Sequence, residues 1–192
     1  VDSSNEATGL VMDALTDTTS GPELSKEELE HWYEKRNAVN RYFIAQGFRG
    51  INVNRKPWND GPYGREIQSV KAHEPNHRNW LTTDATARLM AEIALDRSVS
   101  PKRSAEMKAL LHRELKTKKD IQSQFTGPAL PEGTKLWSKA GWTSQTRHDA
   151  VYLELPGGRK AVLVIFTEGH VAETGIIPAI AKPLIEAIRL KP

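Results

Sequence analysis

The sequence predicts an α/β (α+β) fold, with a mostly helical lobe followed by antiparallel strands and a C-terminal helix that covers them. Three observations predict it. Up to about residue 125, apolar residues recur at helical spacing between long polar stretches; after Lys135 they gather in runs of strand length; and residues 176–190 close the chain with a helical repeat. With 192 residues, 38% of them hydrophobic and 27% charged, the chain can form one sizeable core or two small lobes.

Residues 6–15 have helical spacing, with Leu10, Val11, Ala14 and Leu15 on one side. After a turn-rich stretch over 16–22, Ser25 and Glu28 form a capping box. It opens a helix carrying Leu29, Trp32, Tyr33, Val39, Tyr42 and Phe43 toward Gly47. From 47 to 80 the periodicity stops, with Pro57, Gly61, Pro62, Gly64 and Pro75 as punctuation; loops of this length are usually functional or mobile. Thr83 caps the next helix, with Ala87, Met90, Ile93 and Ala94 inward. Ser100-Pro101 opens another, with Met107, Leu110 and Leu111 inward. Trp32 and Trp80 read as core anchors, and Trp58 as a residue that gates or pins the long loop.

The Pro/Gly-rich stretch 127–133 sets a boundary between a lobe over 1–130 and a second over 131–192. Residues 135–142 read as a strand, and 150–155 and 161–167 as a hairpin around Pro156-Gly157-Gly158. Residues 161–166 are apolar at every position, which predicts a strand buried on both faces. The rest of the chain offers no further strands, so this thin sheet is expected to gain some from an upstream segment.

Composition narrows the chemistry. Without cysteine there is no thiol catalysis, disulfide or thiolate metal site. The net charge is only +3 and basic residues alternate with acids, which argues against a nucleic-acid partner; no apolar run has membrane-spanning length. The chain begins at Val1 without a signal peptide and reads as a piece of a longer protein.

Two short motifs carry the functional reading. Lys139-Ala140-Gly141, inside Trp137-Ser138-Lys139-Ala140-Gly141-Trp142-Thr143, places an ammonium near a strand end beside a glycine that lets backbone approach closely. Ser3-Ser4-Asn5 lies at the opposite end of the chain, where the simpler reading is a helix cap. A competing match, His73-Glu74-Pro75-Asn76-His77, has the letters of a zinc-protease helix. Pro75 falls inside the turn that would have to be helical, so no metal site is expected.

In order and spacing these elements resemble the class A β-lactamase and penicillin-binding-protein superfamily of serine acyl-transferring enzymes. Ser3-Ser4-Asn5 with residues 6–12 resembles its Ser-x-Asn motif and following helix. Residues 81–90 resemble the helix after its Ω-type loop, here about 47–82. Lys139-Ala140-Gly141, the Pro-Gly-Gly-Arg-Lys hairpin and the terminal helix resemble its last elements. The resemblance implies that Ser3 relays a proton and that Lys139 holds Ser3 and a substrate carboxylate. It implies further that Asn5 bonds a substrate amide, that the Trp142 N–H is an oxyanion donor, and that Arg147 or His148 helps hold a carboxylate. It implies a small-molecule or peptidoglycan-type substrate, no cofactor, and export from the cytoplasm.

The chain departs from the family pattern in four places. Ser-x-x-Lys, which carries nucleophile and base, occurs nowhere in the sequence, so an upstream segment or second chain is expected to supply it. Ala140 replaces the usual hydroxyl residue and removes a charge-assisted hydrogen bond worth about 1.5–3 kcal/mol. A β-lactamase hydrolyses its acyl-enzyme with a loop Glu followed four residues later by an Asn. Glu66, nearer the expected distance before Thr83 than Glu74, is the candidate for that catalytic role. The residues four beyond them, Val70 and Arg78, are not the Asn of a β-lactamase. Gly9 is unusual within the helix that follows Ser-x-Asn.

Overall fold

The computed structural model describes residues 3–57, 61–73, 78–115 and 120–190, and it is mixed α/β as expected. Trp58 and the Glu74, Pro75, Asn76 and His77 of the zinc-like motif lie outside the described residues. Two compact units, Val1–Ala85 and Thr86–Pro192, divide the chain.

In the first unit, α1 (Asn5–Thr16) starts from Ser4, whose hydroxyl accepts the Ala7 N–H at 3.1 Å. Its buried face is Gly9, Met12 and Thr16; Leu10, Val11 and Leu15 lie on the outer face instead. The Ser25–Glu28 capping box is present at the start of α2 (Lys26–Arg36). The single helix expected to run to Gly47 is interrupted at Asn37, beyond which α3 spans Ala38–Ala45. The break lets the Asn40 amide reach both Asn37 and Asn52, at 2.6 Å each.

The stretch expected to be loop holds three elements: β1 (Ile51–Asn52), α4 (Gly64–His73) and β2 (Trp80–Leu81), with β1 and β2 antiparallel. Asparagines tie it down. Asn79 Oδ1 accepts the N–H groups of Asn54 and Arg55 at 3.0 Å, and Asn52 Nδ2 donates to the Arg78 carbonyl at 2.7 Å. These side chains do the work of strand pairing where the backbone is irregular. Gly64 stands at φ +50°, and a Cβ there would sit 1.9 Å from the Gly21 carbonyl oxygen, so α4 is anchored against the 20–22 turn by a glycine. Trp32 is a core anchor, donating its indole N–H to the Thr19 carbonyl at 3.0 Å, whereas Trp80 is half exposed on β2.

The helix after this stretch, α5, spans Thr83–Ala94; the side chain that accepts at its start, from the Ala85 N–H, is Thr82 rather than Thr83. In the second unit, α6 (Pro101–Leu111) has Ser100 as N-cap, but Leu110 points outward and Ser104 is the buried residue. The strands β3 (His112–Arg113), β4 (Lys135–Trp142), β5 (Thr146–Glu154) and β6 (Lys160–Glu168) form one antiparallel sheet in sequence order. The strand β3 was not expected; two residues are too few for an alternation to show. On one face Leu136, Ala140, Val151, Leu153 and Ile165 pack with Phe125 and with Ile177, Ala181 and Ile185 of α7 (Ile176–Leu190). On the other, Ala150 and Tyr152 pack with Met90, Trp137 and Leu111. The apolar β6 is only partly buried, because it is the outer strand of the described sheet.

Candidate active site

In a regular antiparallel ladder the backbone groups of successive residues point alternately toward and away from the partner strand. The Ala140 N–H donates to Gln122 Oε1 at 2.7 Å, so it points away from β5. The register continues unbroken through Gly141–His148 and Trp142–Arg147, and Thr143 N–H returns to Thr146 on the β5 side at 3.0 Å. The Trp142 N–H is therefore aimed at the outer edge of β4, past the two residues of β3. A Cβ on Gly141 would meet no described atom within 4 Å. What the glycine provides is room beside the strand, not the close backbone contact expected.

Lys139 lies between these groups. Its side chain reaches the surface while its ammonium turns back to donate to the Ala140 carbonyl oxygen. Partial withdrawal from water pushes its pKa below the ordinary lysine value, and the Arg113 cation pushes the same way; Asp149 acts weakly against them. The Ala140 methyl is 1% exposed and belongs to the core.

Behind the edge sit polar residues that sequence reasoning passed over. Arg113 is buried and donates to the Ser138 carbonyl from Nε at 3.1 Å and Nη2 at 2.7 Å. Asp149, paired across the ladder with Ala140, accepts the Thr126 N–H at 3.0 Å and its hydroxyl at 2.7 Å through Oδ2. Its Oδ1 is buried without a partner, and burial raises its pKa to about 6. An aspartate inside the apolar β5 pattern was a readable signal; Arg113 and Gln122 offered none. Arg147 lays its guanidinium over the Phe125 ring at 4.1 Å, and Trp142, half exposed, tilts against the same ring at 5.6 Å. His148 Nδ1 accepts the Thr167 N–H at 3.2 Å.

In the first unit, Ser3 is exposed and Asn5 begins α1; the capping role belongs to Ser4, between them. Glu66 rides on α4 with its side chain 4% exposed. It meets Arg36 Nη2 at 2.7 Å, Lys56 Nζ at 3.8 Å and the Ser20 hydroxyl at 2.9 Å. Asp13 pairs with the same two cations. Gly9 admits Lys56 to this cluster, since a Cβ there would stand 3.3 Å from the lysine stem. Among the described residues no group of three or more His, Asp or Glu side chains is placed to hold a metal. No described helix is long and apolar enough to cross a membrane.

The sequence profile of the β-lactamase enzyme family matches residues 2–188. The chain belongs to that family. It is 25% identical to a β-lactamase from Sphaerobacter thermophilus, over 98% of this chain and 59% of that one, with a TM-score of 0.63. The chain thus spans less than two thirds of that relative. A class A β-lactamase from Bacteroides cellulosilyticus (16% identity, 83% of this chain and 55% of that one, TM-score 0.59) has the same fold. So does PBP-A (16%, 79% and 50%, TM-score 0.56). No curated protein matches.

Proposed function

We propose that this chain is part of a β-lactamase-like serine hydrolase that transfers acyl groups from a β-lactam or a D-Ala-D-Ala-type amide. Residues 1–130 form the helical lobe and 131–192 the last strands and helix of the α/β lobe. An upstream segment or second chain supplies Ser-x-x-Lys. Ser3 relays the proton, Asn5 bonds the substrate amide, Lys139 attracts its carboxylate, and Arg147 assists. The reading rests above all on the outer edge of β4, where an ammonium, an open space at Gly141 and an outward Trp142 N–H occur in succession. Such an edge can take a carbonyl oxygen and hold it as charge develops. The protein with its upstream sequence is expected to form a covalent adduct with a fluorescent penicillin, seen by gel and intact mass. The reading fails if that sequence contains Ser-x-x-Lys and no adduct forms.

A second reading, a non-catalytic member of the fold that binds cell-wall peptide or a protein partner, is favoured by Glu66. Its carboxylate is already engaged by two cations and a hydroxyl. Upstream sequence without Ser-x-x-Lys decides for this reading.

A further inference from the structure

The outer edge of β4 is held by side chains where a neighbouring strand is missing. The short strand β3 pairs only with Leu136 and Trp137. Beyond it, Arg113 takes the Ser138 carbonyl with two nitrogens, and Gln122 takes the Ala140 N–H. Asp120 joins the two: its Oδ1 accepts the Gln122 backbone N–H at 3.0 Å, and its Oδ2 stands 3.8 Å from Arg113 Nη1. A closed ring of contacts thus runs from Asp120 through Arg113 and Ser138 to Ala140 and Gln122. Lys139 is the residue it encloses.

We propose that Arg113 and Gln122 are positioning residues, which lock the strand on both sides of Lys139 and leave Trp142 as the next outward N–H. This deepens the acyl-transfer reading and rests on it for its catalytic meaning; the clasp itself does not depend on that reading. A clasp at Ser138 and Ala140 prevents an extended ligand from pairing with those residues and directs it to Trp142. It also fixes the Lys139 backbone, so the position of the ammonium varies only through its own side chain. Arg113 has a second effect: its cation near Lys139 makes the ammonium easier to deprotonate. Among the described residues, the charged groups that act on Lys139 are Arg113 and, oppositely, Asp149.

Amide hydrogen exchange and a lysine side-chain NMR titration on the protein test this. Gln122→Met removes the acceptor, and the Ala140 amide is expected to exchange about five- to tenfold faster, the measure of one lost hydrogen bond. Gln122→Glu keeps an acceptor and should retain the protection. The Val151 and Leu153 amides, inside the sheet, serve as the folding control. In Arg113→Met the Lys139 titration midpoint rises because a like charge has gone; in Arg113→Lys, which keeps that charge, it stays. Unchanged Ala140 exchange in Gln122→Met overturns the clasp, and an unmoved or lowered Lys139 midpoint in Arg113→Met overturns the effect of the Arg113 charge on Lys139. If penicillin labels the protein, Gln122→Met slows labelling and Gln122→Glu restores it; equal labelling of all three overturns the positioning role. A protein that takes no label while its exchange and titration behave as stated defeats the acyl-transfer reading and leaves the clasp standing.

Discussion

Both units bury charge, but the first sets it against opposite charge and the second holds Asp149 through the neutral donors of Thr126. In the first, Asp13, Glu66, Arg36 and Lys56 form two carboxylates against two cations, each carboxylate reached by both. The Arg36 guanidinium also lies 4.6 Å over the Trp32 ring, with its Nε and Nη1 lacking acceptors. In the second, Asp149 has one oxygen satisfied and one bare, and Lys139, at the surface, has its pKa lowered by partial withdrawal from water and by Arg113. Closed clusters of opposite charge hold elements together. Incomplete ones store the unequal protonation preferences that reacting groups use. On this ground we propose that the chemistry belongs to the β4 edge and that the cluster at Glu66 tethers α4.

Breaking the closed cluster should have the largest effect. Arg36→Met leaves the buried Glu66 and the partly buried Asp13 to Lys56 alone and is expected to cost about 3–5 kcal/mol in urea unfolding. Asp149→Asn should change stability by about 3 kcal/mol in a pH-dependent way. The folded pKa near 6 exceeds the ordinary carboxylate value of 3.8, so the folded state holds a proton that the unfolded chain releases. The stability due to that proton is complete below pH 4 and lost as pH climbs through 6. The variant should therefore gain on the wild type between pH 4 and 7, and parallel curves would refute it. Glu66→Gln should lose about 1.5–3 kcal/mol through weakened charge-assisted bonds. An unchanged acyl-adduct lifetime in that variant sets Glu66 down as a tether; a lengthened one gives it the hydrolytic step after all. The smallest effect concerns strain, not charge. Val99 is exposed and β-branched at φ +62°, so Val99→Gly should raise stability by about 0.5–1 kcal/mol in thermal unfolding.

The elements legible in the sequence were those with a repeating signal. Apolar runs of strand length and Gly-Gly punctuation marked β4, β5 and β6, and helical spacing marked α7 at its observed limits. What escaped was built from single side chains acting at a distance in sequence. Asn40 reaching Asn52, and Arg113 reaching Ser138, leave no period behind. The long stretch before Trp80 looked structureless because its order comes from asparagine amides and from one glycine contact under α4. At the candidate site, Lys139, Gly141 and Trp142 were readable from a motif, while the residues that hold their strand were not.

The sheet has one guarded margin and one open one. Arg113 and Gln122 blunt β4, whereas β6 carries a row of apolar residues along a margin that no described strand covers. A strand arriving from elsewhere, whether from another part of the polypeptide or from another molecule, meets a template at Lys160–Glu168 and an obstacle at Ser138 and Ala140.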